Sequence, residues 1–496
     1  MKSEVATAMQ KFLMEKGFIF PTAEIYGGMA GFFDYGPLGT EIKRAVKELW
    51  WKTWVSGRQD IIGMDGSIIT NPKVWESSGH LDIFHDPLVE CSNCRGRFRA
   101  DSLLEKKVKG QLDGLSLEDY AKLIEEYKVK CPVCGGKLGA PKWFGLMFRT
   151  EVGSVNGNTA YLRPETAQLI FVNFNRIVKT SRATLPFGIA TMGRVFRNEI
   201  SPRNFVFRCR EFEQMELEYF FNPKQDCPSG LLESVADLKV PVLTREIQEA
   251  GSKAVKMPIN ALVKKKHTSS WHAYWLGKSL EFVMSLGLAP AKLRLRQHLE
   301  QELSHYSKDT WDIEYRYSFG WKELAGIADR TDYDLQQHAK ASGVDLSVAT
   351  PEGGKLYPHV IEPSFGVDRL VFAVVEGAYQ VEKLPDGKQR QVMKLPEAVA
   401  PVQVAVFPLV SKDGMPEVGR EIYNILRKKL RTFYDDKGSV GRRYRRQDSV
   451  GTPFCITVDG QTLKDRTVTV RERDSMKQTR VKIAEVAGWL ERRTGG

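Results

Sequence analysis

The sequence predicts an α/β protein of the α+β type that carries a further α/β unit at its C-terminal end. Between Met192 and Phe221 the residues predict a strand, a polar loop and a second strand. Residues 359–378 predict a strand, a tight turn and a helix that is apolar nearly all round and therefore buried. From residue 401 onward, strands alternate with helices, which favours an open mixed sheet.

The second strand of the 192–221 segment carries an unusual row of polar side chains. Because successive side chains of a strand point to opposite faces, every second residue shares one face. That face is predicted to hold Arg208, Arg210, Phe212, Gln214, Glu216 and Glu218. Unpaired buried charges cost several kcal/mol each, so this row is not a dry core face. We interpret it as the floor of a site for a polar, anionic ligand; the alternative is a solvated hairpin with cross-strand ion pairs.

The same segment resembles a known family. FRNE at residues 196–199 and RCREFEQME at residues 208–216 resemble motif 2 of the class II aminoacyl-tRNA synthetases, FRxE followed by R-x-x-x-F-x-x-x-(D/E). The fuller wording, FRNEISPRNFVFRCREFEQMELEYF, is similar to the homodimeric type of glycyl-tRNA synthetase. The resemblance extends over nearly the whole chain. It implies a catalytic domain built on an antiparallel sheet with flanking helices, followed by a C-terminal α/β anticodon-binding domain.

The segment at residues 359–370, HVIEPSFGVDRL, resembles motif 3 of the same family. Gly366 is expected to allow the turn, and Arg369 to be the second catalytic arginine, on the γ-phosphate. An isolated GxxR is weak evidence, but its place about 150 residues after a complete motif 2 strengthens it. Glu323, in WKELAGIA, matches an ATP-proximal Glu-Leu of the family and is the expected Mg²⁺ ligand; the alternative is an ordinary glutamate at a helix start.

The residue types of both motifs suit acyl activation with ATP and Mg²⁺. An amino-acid carboxylate attacks the α-phosphorus and expels pyrophosphate, so fixed cations must hold the negative charge. Arginine suits this role because its planar guanidinium binds phosphate or carboxylate through two hydrogen bonds and stays protonated. The carboxylate is already ionised at neutral pH and needs no general base. Catalysis is therefore expected to rest on positioning and electrostatic stabilisation.

The resemblance implies a role for each residue of this ATP site. Arg197 is expected to contact the α-phosphate and the substrate carboxylate, and Glu199 the adenine edge. Phe212 is expected to stack on adenine, with Arg208 near the γ-phosphate. The predicted catalytic residues are Arg197, Glu199 and Arg369. The predicted ATP-binding residues are Arg197, Asn198, Glu199, Phe207, Arg208, Phe212, Glu323, Leu324, Gly366 and Arg369.

Glycine offers an ammonium, a carboxylate and no side chain, so its pocket must bind the ammonium with acidic groups and block the Cα. The resemblance supplies glutamates for the ammonium, Ser364 for the Cα side, and Arg99 with either Arg294 or Arg296 for the carboxylate. The predicted glycine-binding residues are Arg99, Glu165, Phe212, Gln214, Glu216, Arg294, Arg296, Glu362, Ser364 and Gly366. Every competing amino acid is larger and is rejected by steric clash, so no editing domain is expected.

Motif 1 is expected at residues 37–72. Residues 37–55 have apolar residues at a helical spacing, and a strand with Ile61, Ile62 and Met64 follows. The resemblance assigns this helix and strand to the interface of a homodimer. An ordinary core helix is the alternative reading of the same residues.

Two cysteine pairs, Cys91-x-x-Cys94 and Cys131-x-x-Cys134, predict a tetrahedral structural zinc site. They are separated by 36 residues that contain a predicted helix near residues 115–127. A vestigial module without metal and redox pairing are the alternatives, although a reducing cytosol disfavours the second.

Composition agrees with a partner that is a nucleic acid. The 496 residues carry a net charge of +12, and residues 401–496 hold 20 basic against 12 acidic side chains. A basic excess in one unit is an electrostatic footprint for nucleic acid, here tRNA(Gly). No apolar run reaches membrane-spanning length, and the N-terminal residues lack a signal or transit pattern, so a cytoplasmic protein without membrane contact is expected.

The C-terminal unit is predicted to contain strands at 402–407, 455–458 and 467–470 and helices at 418–433 and 478–492. GRRYRRQDSVGTPF and VTVRERDSMKQTRV resemble the anticodon-binding domain shared by glycyl, histidyl, prolyl and threonyl synthetases. The predicted phosphate-contacting cluster, which a solvated face would also explain, is Arg442, Arg443, Arg445 and Arg446.

The expected domain organisation follows from these motifs. The catalytic domain is predicted at residues 1–85 and 140–390, interrupted by the cysteine module at 86–139 and a second insertion at 222–266. The basic end of that insertion either touches the acceptor stem of tRNA or is a solvated helix. A polar linker is predicted near residues 380–400, and the anticodon-binding domain at 400–496.

Two other functions are compatible with the motifs. A synthetase-like regulatory protein would bind tRNA without catalysis, but it should have lost arginines that are present here. A class II synthetase for another amino acid would replace the glutamates of the pocket with a bulkier apolar or hydroxylated set.

Overall fold

The computed structural model describes residues 2–105, 107–108, 112, 114–154, 157–350, 353–384 and 387–494. Its strands, numbered in chain order, are β1 Ile19–Pro21, β2 Phe33–Tyr35, β3 Ile61–Met64, β4 Ile69–Thr70, β5 His85–Glu90, β6 Arg97–Arg99, β7 Lys142–Gly145, β8 Phe148–Val152, β9 Asn158–Leu162, β10 Phe187–Phe196, β11 Glu211–Phe221, β12 Lys239–Leu243, β13 Val255–Pro258, β14 Leu293–Gln297, β15 Asp309–Tyr317, β16 Gly320–Thr331, β17 Val348–Ala349, β18 Lys355–Leu356, β19 His359–Gly366, β20 Tyr379–Lys383, β21 Gln389–Met393, β22 Val404–Pro408, β23 Thr432–Tyr434, β24 Phe454–Val458, β25 Thr467–Glu472 and β26 Gln478–Lys482.

The helices, numbered in the same way, are α1 Lys2–Glu15, α2 Pro37–Trp51, α3 Pro72–Ser77, α4 His80–Ile83, α5 Ala100–Leu104, α6 Leu117–Glu126, α7 Ala167–Ser181, α8 Ser229–Glu233, α9 Arg245–Glu249, α10 Ile259–Lys264, α11 Ser270–Ser285, α12 Tyr333–Ser342, α13 Val367–Ala378, α14 Met415–Leu426, α15 Val440–Val450, α16 Thr462–Asp465 and α17 Ile483–Thr494. Within the described residues, no helix combines the length and the apolar character that crossing a bilayer demands.

A nine-stranded sheet forms the centre of the large unit, in the order β13-β12-β14-β15-β16-β19-β11-β10-β3. Its neighbours are antiparallel except for β3 with β10 and β12 with β14, which are parallel. The predicted antiparallel sheet with flanking helices is thereby confirmed. The predicted strand, loop and strand of motif 2 become β10 and β11, which pair from Phe187 with Phe220 to Phe196 with Glu211.

One face of this sheet is covered by an apolar core that includes α2, α11 and α13. The motif 1 helix runs from Pro37 to Trp51 and continues as a π-helical segment, Lys52–Ser56. Trp54 in that segment is 2% exposed and stacks on Trp275 with ring centroids 5.2 Å apart. Phe365, on the central strand β19, meets the same indole edge-on at 5.4 Å. This aromatic cluster anchors the motif 1 region to the middle of the sheet.

The second insertion belongs to this sheet rather than standing apart from it. Strands β12 and β13 form one edge of the nine strands, and α10 contains the start of the basic LVKKKH sequence. The cysteine module has its own three-stranded sheet, in the order β6-β5-β7, with α6 at the predicted helix position. Because Lys142–Gly145 pairs with His85–Glu90, this module extends a few residues beyond the predicted boundary at 139.

The predicted linker near residues 380–400 is wrong in its main feature, since residues 380–383 and 389–393 belong to the two paired strands of a β-hairpin, β20 and β21. Residues 385 and 386 of that prediction lie outside the described residues. Arg390 in the hairpin is 2% exposed and lies 3.5 Å from Asp448 of α15. A polar sequence with Pro and Gly correctly predicts a turn. It does not reveal that the residues on either side of the turn form strands, one of which contacts the C-terminal unit through Arg390.

The C-terminal unit is a mixed sheet, as predicted, but it has five strands, in the order β23-β22-β24-β25-β26, where the sequence predicted three. Two helix predictions need correction. The helix predicted at 418–433 ends at Leu426, because Thr432–Tyr434 pairs with the central strand β22. The helix predicted from residue 478 begins at Ile483, because Gln478–Lys482 forms the edge strand β26.

The aromatic cluster yields a stability prediction. Trp54→Ala should lower the free energy of unfolding of the large unit by about 3–5 kcal/mol, because it leaves a large cavity among packed rings. Denaturant unfolding followed by tryptophan fluorescence measures the change. Trp143→Ala is the matched control, since Trp143 is 42% exposed and should cost less than about 1 kcal/mol. Equal losses in both variants would contradict the anchoring role of Trp54.

Candidate active site

A deep cavity lies on the other face of the nine-stranded sheet, above β11, β19, β16 and β15. Strands β11 and β19 pair so that Gln214 is opposite Gly366 and Glu216 is opposite Ser364. Because side chains alternate along each strand, these residues share the face that lines the cavity. The predicted site residues that line it are Glu165, Arg197, Glu199, Phe207, Arg208, Phe212, Gln214, Glu216, Glu323, Glu362, Ser364, Gly366 and Arg369.

The predicted polar row on the second strand of motif 2 needs one correction. The strand begins only at Glu211, so Arg208 and Arg210 precede it. Arg208 still lines the cavity, but the Arg210 guanidinium donates to the backbone oxygens of Glu199 (3.0 Å) and Ala30 (2.8 Å). Arg210 thus holds the motif 2 loop in place and does not face the cavity.

Three guanidinium groups surround one end of the cavity. Arg208 donates its Nε to Glu199 at 2.7 Å, and Arg369 Nη1 lies 2.8 Å from Glu323. The guanidinium of Arg197 lies 5.4 Å from the ring centre of Phe212 and donates to the backbone oxygen of Pro164. Each arginine keeps donors that these contacts do not use, because a guanidinium carries five N–H groups. This end of the cavity is therefore suited to an anionic ligand with an aromatic part.

The carboxyl group of Glu323 stays ionised beside Arg369. Burial favours its protonated form, but the nearby Arg369 lowers the pKa of Glu323 below its ordinary value. An ionised carboxylate beside arginines is the type of ligand that Mg²⁺ uses together with phosphate oxygens. Glu323 therefore fits its predicted place.

The other end of the cavity is acidic. Glu216 accepts hydrogen bonds from the backbone N–H of Thr166 at 2.8 Å and from the Ser364 hydroxyl at 2.8 Å. Both oxygens of Glu362 lie 3.0 Å from Nη1 of the buried Arg330. Burial raises the pKa of Glu362 to about 8 against the opposing effect of Arg330, and the nearby Glu216 and Glu165 raise it further. A bound ammonium would relieve this repulsion between carboxylates.

Glu165 reaches the acidic end from the loop before α7. Its carboxylate accepts from Gln168 at 3.1 Å and lies 3.3 Å from His80. Burial favours protonation, but His80 and then Arg330 hold the pKa of Glu165 well below its usual range. It is an ionised group at neutral pH.

The backbone around this loop is held by a buried arginine. Arg163 donates to the backbone oxygens of Gly66 at 2.7 Å and Arg194 at 2.8 Å. A Cβ on Gly193 would lie 2.1 Å from the Arg163 guanidinium, so any larger residue there would displace this arginine. Through this contact β10 carries the loop that presents Glu165 and Thr166 to the cavity.

Five predicted residues lie outside the cavity lining. Leu324 is fully buried in the core, because it follows Glu323 on a strand and points to the opposite face. Asn198 uses its backbone N–H to bind Leu146. The three predicted carboxylate partners are paired elsewhere: Arg99 with Asp86 and Asp101, Arg294 with Glu314, and Arg296 with Glu302.

Several cavity residues had no signal in the sequence. His298 directly follows β14, and its Nε2 lies 3.0 Å from the carboxylate of Asp312 on β15. Burial raises the pKa of Asp312 to about 6. Tyr306 comes from an irregular loop and stacks on Arg330, whose guanidinium lies 3.8 Å from its ring centre. The alternation of Asp312 with Thr310 and Glu314 is a weak sequence signal that these side chains share one face of the strand. Tyr306 and Arg330 have no such signal, because only the fold brings them to the site.

Glu218 is a further buried carboxyl group, and the predicted polar row of the strand already includes it. It follows Glu216 by two residues and faces Glu362 across the strands. Both of its carboxyl oxygens lack a hydrogen-bond partner among the described residues. Burial and the neighbouring Glu362 raise its pKa well above the ordinary value, so Glu218 is a neutral acid beneath the anionic end.

Family models match two parts of this chain. The core domain of class II tRNA synthetases (G, H, P, S and T) matches residues 148–378, and an anticodon binding domain matches residues 403–493. The glycine–tRNA ligase of Geobacillus thermodenitrificans is 44% identical over 99% of this chain and 98% of its own length. The glycine–tRNA ligase of Thermobifida fusca is 43% identical over 100% and 99%, respectively.

The chain belongs to the glycine–tRNA ligase family of class II synthetases. A crystal structure of prolyl-tRNA synthetase from Cryptosporidium parvum shares the fold with a TM-score of 0.58 at 14% identity. The match covers 98% of this chain and 78% of the prolyl-tRNA synthetase chain. The resemblance predicted from motifs 2 and 3 is thus confirmed.

In this member of the glycine–tRNA ligase family, the four cysteines of the two Cys-x-x-Cys pairs lie together. The Sγ atoms of Cys91, Cys94, Cys131 and Cys134 are all within 4.8 Å of one another. The backbone N–H of Cys91 binds the oxygen of Gly96 at 2.8 Å, and that of Cys131 binds Gly136 at 2.9 Å. Each loop thus curls around its first cysteine. Four sulfurs bound to one Zn²⁺ at about 2.3 Å would be spaced in this way, so the set fits a structural zinc ion.

The predicted phosphate-contacting arginines lie on α15 and do not act alike. Arg443 is 1% exposed and donates to the backbone oxygens of Pro408 (2.6 Å), Asp435 (3.1 Å) and Leu409 (3.3 Å). Its inclusion in the cluster is wrong, because helical spacing turns it toward the sheet while its neighbours face outward. Arg442 and Arg445 are exposed, and Arg446 is bound to Asp435 at 2.5 Å.

The cysteine cluster leads to a metal prediction. Cys91→Ser or Cys131→Ser should abolish the binding of one zinc per chain and loosen residues 85–145, because three thiolates hold the ion less well than four. Metal analysis of protein purified without chelator and hydrogen exchange measure these effects. Cys227→Ser, at a cysteine outside the cluster, is the control. A parent protein without zinc would show that the module is vestigial.

Proposed function

We propose that this protein attaches glycine to tRNA(Gly) in two steps. A carboxylate oxygen of glycine attacks the α-phosphorus of ATP and pyrophosphate leaves, which gives glycyl-adenylate. A hydroxyl at the 3′ end of the tRNA then attacks the carbonyl carbon, and AMP leaves. The observation that carries the proposal is one cavity with arginines at one end and a cluster of glutamates at the other. The family membership supports the same activity.

For the first step we assign the arginine end to ATP. Arg197 stabilises the negative charge that builds on the α-phosphate, and Phe212 stacks on adenine. Arg369 and Arg208 hold the γ-phosphate. Glu199 orients Arg208 and contacts the edge of the adenine ring. Mg²⁺ held by Glu323 would neutralise phosphate charge during pyrophosphate departure.

For glycine we assign the acidic end. Glu165, Glu216 and Glu362 bind the ammonium, because their carboxyl groups lie together at this end of the cavity and a nearby cation favours the ionised form of Glu362. Ser364, fixed by its hydrogen bond to Glu216, closes the space beside the Cα. A larger amino acid would have to displace this bonded pair, and that clash accounts for selection of glycine without editing.

We further propose tRNA binding through the C-terminal unit, residues 400–496, and a homodimer through the motif 1 region. Support for an interface near motif 1 is an exposed apolar turn, with Ile25 88%, Tyr26 85% and Met29 55% exposed. We place the protein in the cytoplasm, where translation consumes aminoacyl-tRNA, and structural zinc in the cysteine module.

The catalytic assignment is tested by pyrophosphate exchange. Arg197→Ala and Arg369→Ala should each reduce glycine-dependent ATP–pyrophosphate exchange at least ~100-fold, the scale of losing one charged transition-state contact. Arg316→Ala, at an exposed arginine of the same sheet, should leave the rate unchanged. A panel of amino acids in the same assay tests the substrate. Exchange with an amino acid other than glycine, or near-normal rates in both variants, would contradict the proposal.

The tRNA assignment is tested with the exposed arginines of α15. The double variant Arg442→Ala/Arg445→Ala should raise the KM for tRNA and lower the salt slope of tRNA binding by nearly one per lost phosphate contact. Glycine-dependent pyrophosphate exchange should stay within a few-fold of the parent, because it needs no tRNA. Arg427→Ala/Lys428→Ala removes the same charge after α14 and is the control. An equal effect in the control would indicate net charge and not a specific contact.

A further inference from the structure

Asp368 occupies a junction that the reaction mechanism leaves unexplained. It is the second residue of α13, immediately before Arg369, and is 6% exposed. One carboxylate oxygen accepts the backbone N–H of Glu213 at 2.7 Å. The other accepts the Tyr35 hydroxyl at 2.6 Å and the Lys43 ammonium at 3.1 Å.

The first of these bonds completes the central sheet. Pairing between β11 and β19 reaches Gln214 opposite Gly366, and there β19 ends and α13 begins. The next residue toward the loop, Glu213, pairs with β10 on one side but has no strand residue on its β19 side to accept its N–H. A buried backbone donor without a partner is costly, and the Asp368 carboxylate supplies the acceptor that a further residue of strand would have supplied.

The charges around this junction are balanced by the motif 1 helix. Lys43 lies 3.1 Å from both Asp368 and Glu213, and Lys47 lies 2.5 Å from Glu213. Burial alone would lower the pKa of Lys43, but Asp368 and Glu213 raise it above its ordinary value. The side chains of Lys43, Lys47, Glu213 and Asp368 therefore form one salt-bridged network between α2, β11 and α13.

We propose that Asp368 is a positioning residue that sets the distance between the two groups holding opposite ends of ATP. The backbone positions joined by its hydrogen bond stand directly beside Phe212, which precedes Glu213, and Arg369, which follows Asp368. Both side chains line the cavity. The inference rests on the proposed roles of Phe212 in adenine stacking and Arg369 in γ-phosphate binding.

Asp368→Ala should therefore act on ATP and not on glycine. We expect the KM for ATP to rise ~10-fold and kcat for pyrophosphate exchange to fall ~10- to 100-fold, since a shift of about 1 Å in a binding group costs on that scale. The KM for glycine should stay within ~2-fold, because Glu165, Glu216 and Ser364 are held by other contacts. Asp368→Asn should be milder, because its amide oxygen still accepts the Glu213 N–H.

Glu376 provides a matched control on the same helix. Its carboxylate accepts the backbone N–H of Ser318 at 2.9 Å and the Ser318 hydroxyl at 2.8 Å, at the end of α13 away from the cavity. Glu376→Ala should lower the thermal midpoint as Asp368→Ala does, without a selective rise in the KM for ATP. If Asp368→Ala does not fold, Tyr35→Phe and Asp368→Asn provide the same comparison at smaller amplitude.

Three outcomes separate the hypotheses. A selective loss in ATP binding for the Asp368 variants, absent in Glu376→Ala, supports the positioning role. Unchanged kinetics in all Asp368 variants, or parallel changes in the KM for ATP and for glycine, overturn it. If Arg369→Ala leaves the KM for ATP and the exchange rate unchanged, the proposed ATP site itself is wrong. If Arg369→Ala changes them but the Asp368 variants do not, only the positioning role of Asp368 is overturned.

Discussion

The pairing of β11 with β19 is the constraint on which the rest of the site depends. It sets Glu216 beside Ser364 and Gln214 beside Gly366, and a slip of one residue would turn each of these side chains to the opposite face. The register is held from behind, where Met215 and Leu217 are fully buried in the apolar core. The polar floor of the cavity is therefore a consequence of hydrophobic packing on the other side of the same strands.

The acidic end shows what this arrangement costs in electrostatic terms. Arg330 is bound to Asp334 through two hydrogen bonds and lies 3.0 Å from Glu362, yet further carboxyl groups lie close by. Such a cluster is unfavourable without a cation, and Glu218 responds by staying protonated. The surrounding sheet and helices hold the groups together despite their repulsion. A cluster of carboxyl groups of this kind suits the binding of an ammonium group.

The junction between the two units is ordered by buried charges. Arg390 of the β20–β21 hairpin donates to the backbone oxygen of Arg473 at 3.1 Å and lies 3.5 Å from Asp448 of α15. Asp448 in turn accepts from Arg471 at 2.9 Å. The exposed arginines of α15 thus stand on a helix that is fixed to the large unit. These contacts set a defined distance between the two units.

Most of the predicted site residues were placed correctly at the cavity from the sequence alone. The strands of motifs 2 and 3, the acidic and basic residue types on them, and the paired cysteines depend on local periodicity and spacing, which the sequence records directly. Thirteen of the predicted site residues accordingly line one cavity. The antiparallel class of the large sheet and the mixed sheet of the C-terminal unit also agree with the prediction.

The sequence by itself therefore determined the fold class, the family and the faces of the central strands, because these follow from the alternation and spacing of neighbouring residues. Only the tertiary structure decided which cations stay free. Arg99, Arg294, Arg296 and Arg443 look available in the sequence, yet in the folded chain carboxylates or backbone oxygens bind them. The tertiary structure also brought Tyr306 and Arg330 together beside the cavity from separate segments. Whether an arginine is paired or free depends on where the chain folds each neighbouring acid, and residue spacing alone does not decide it.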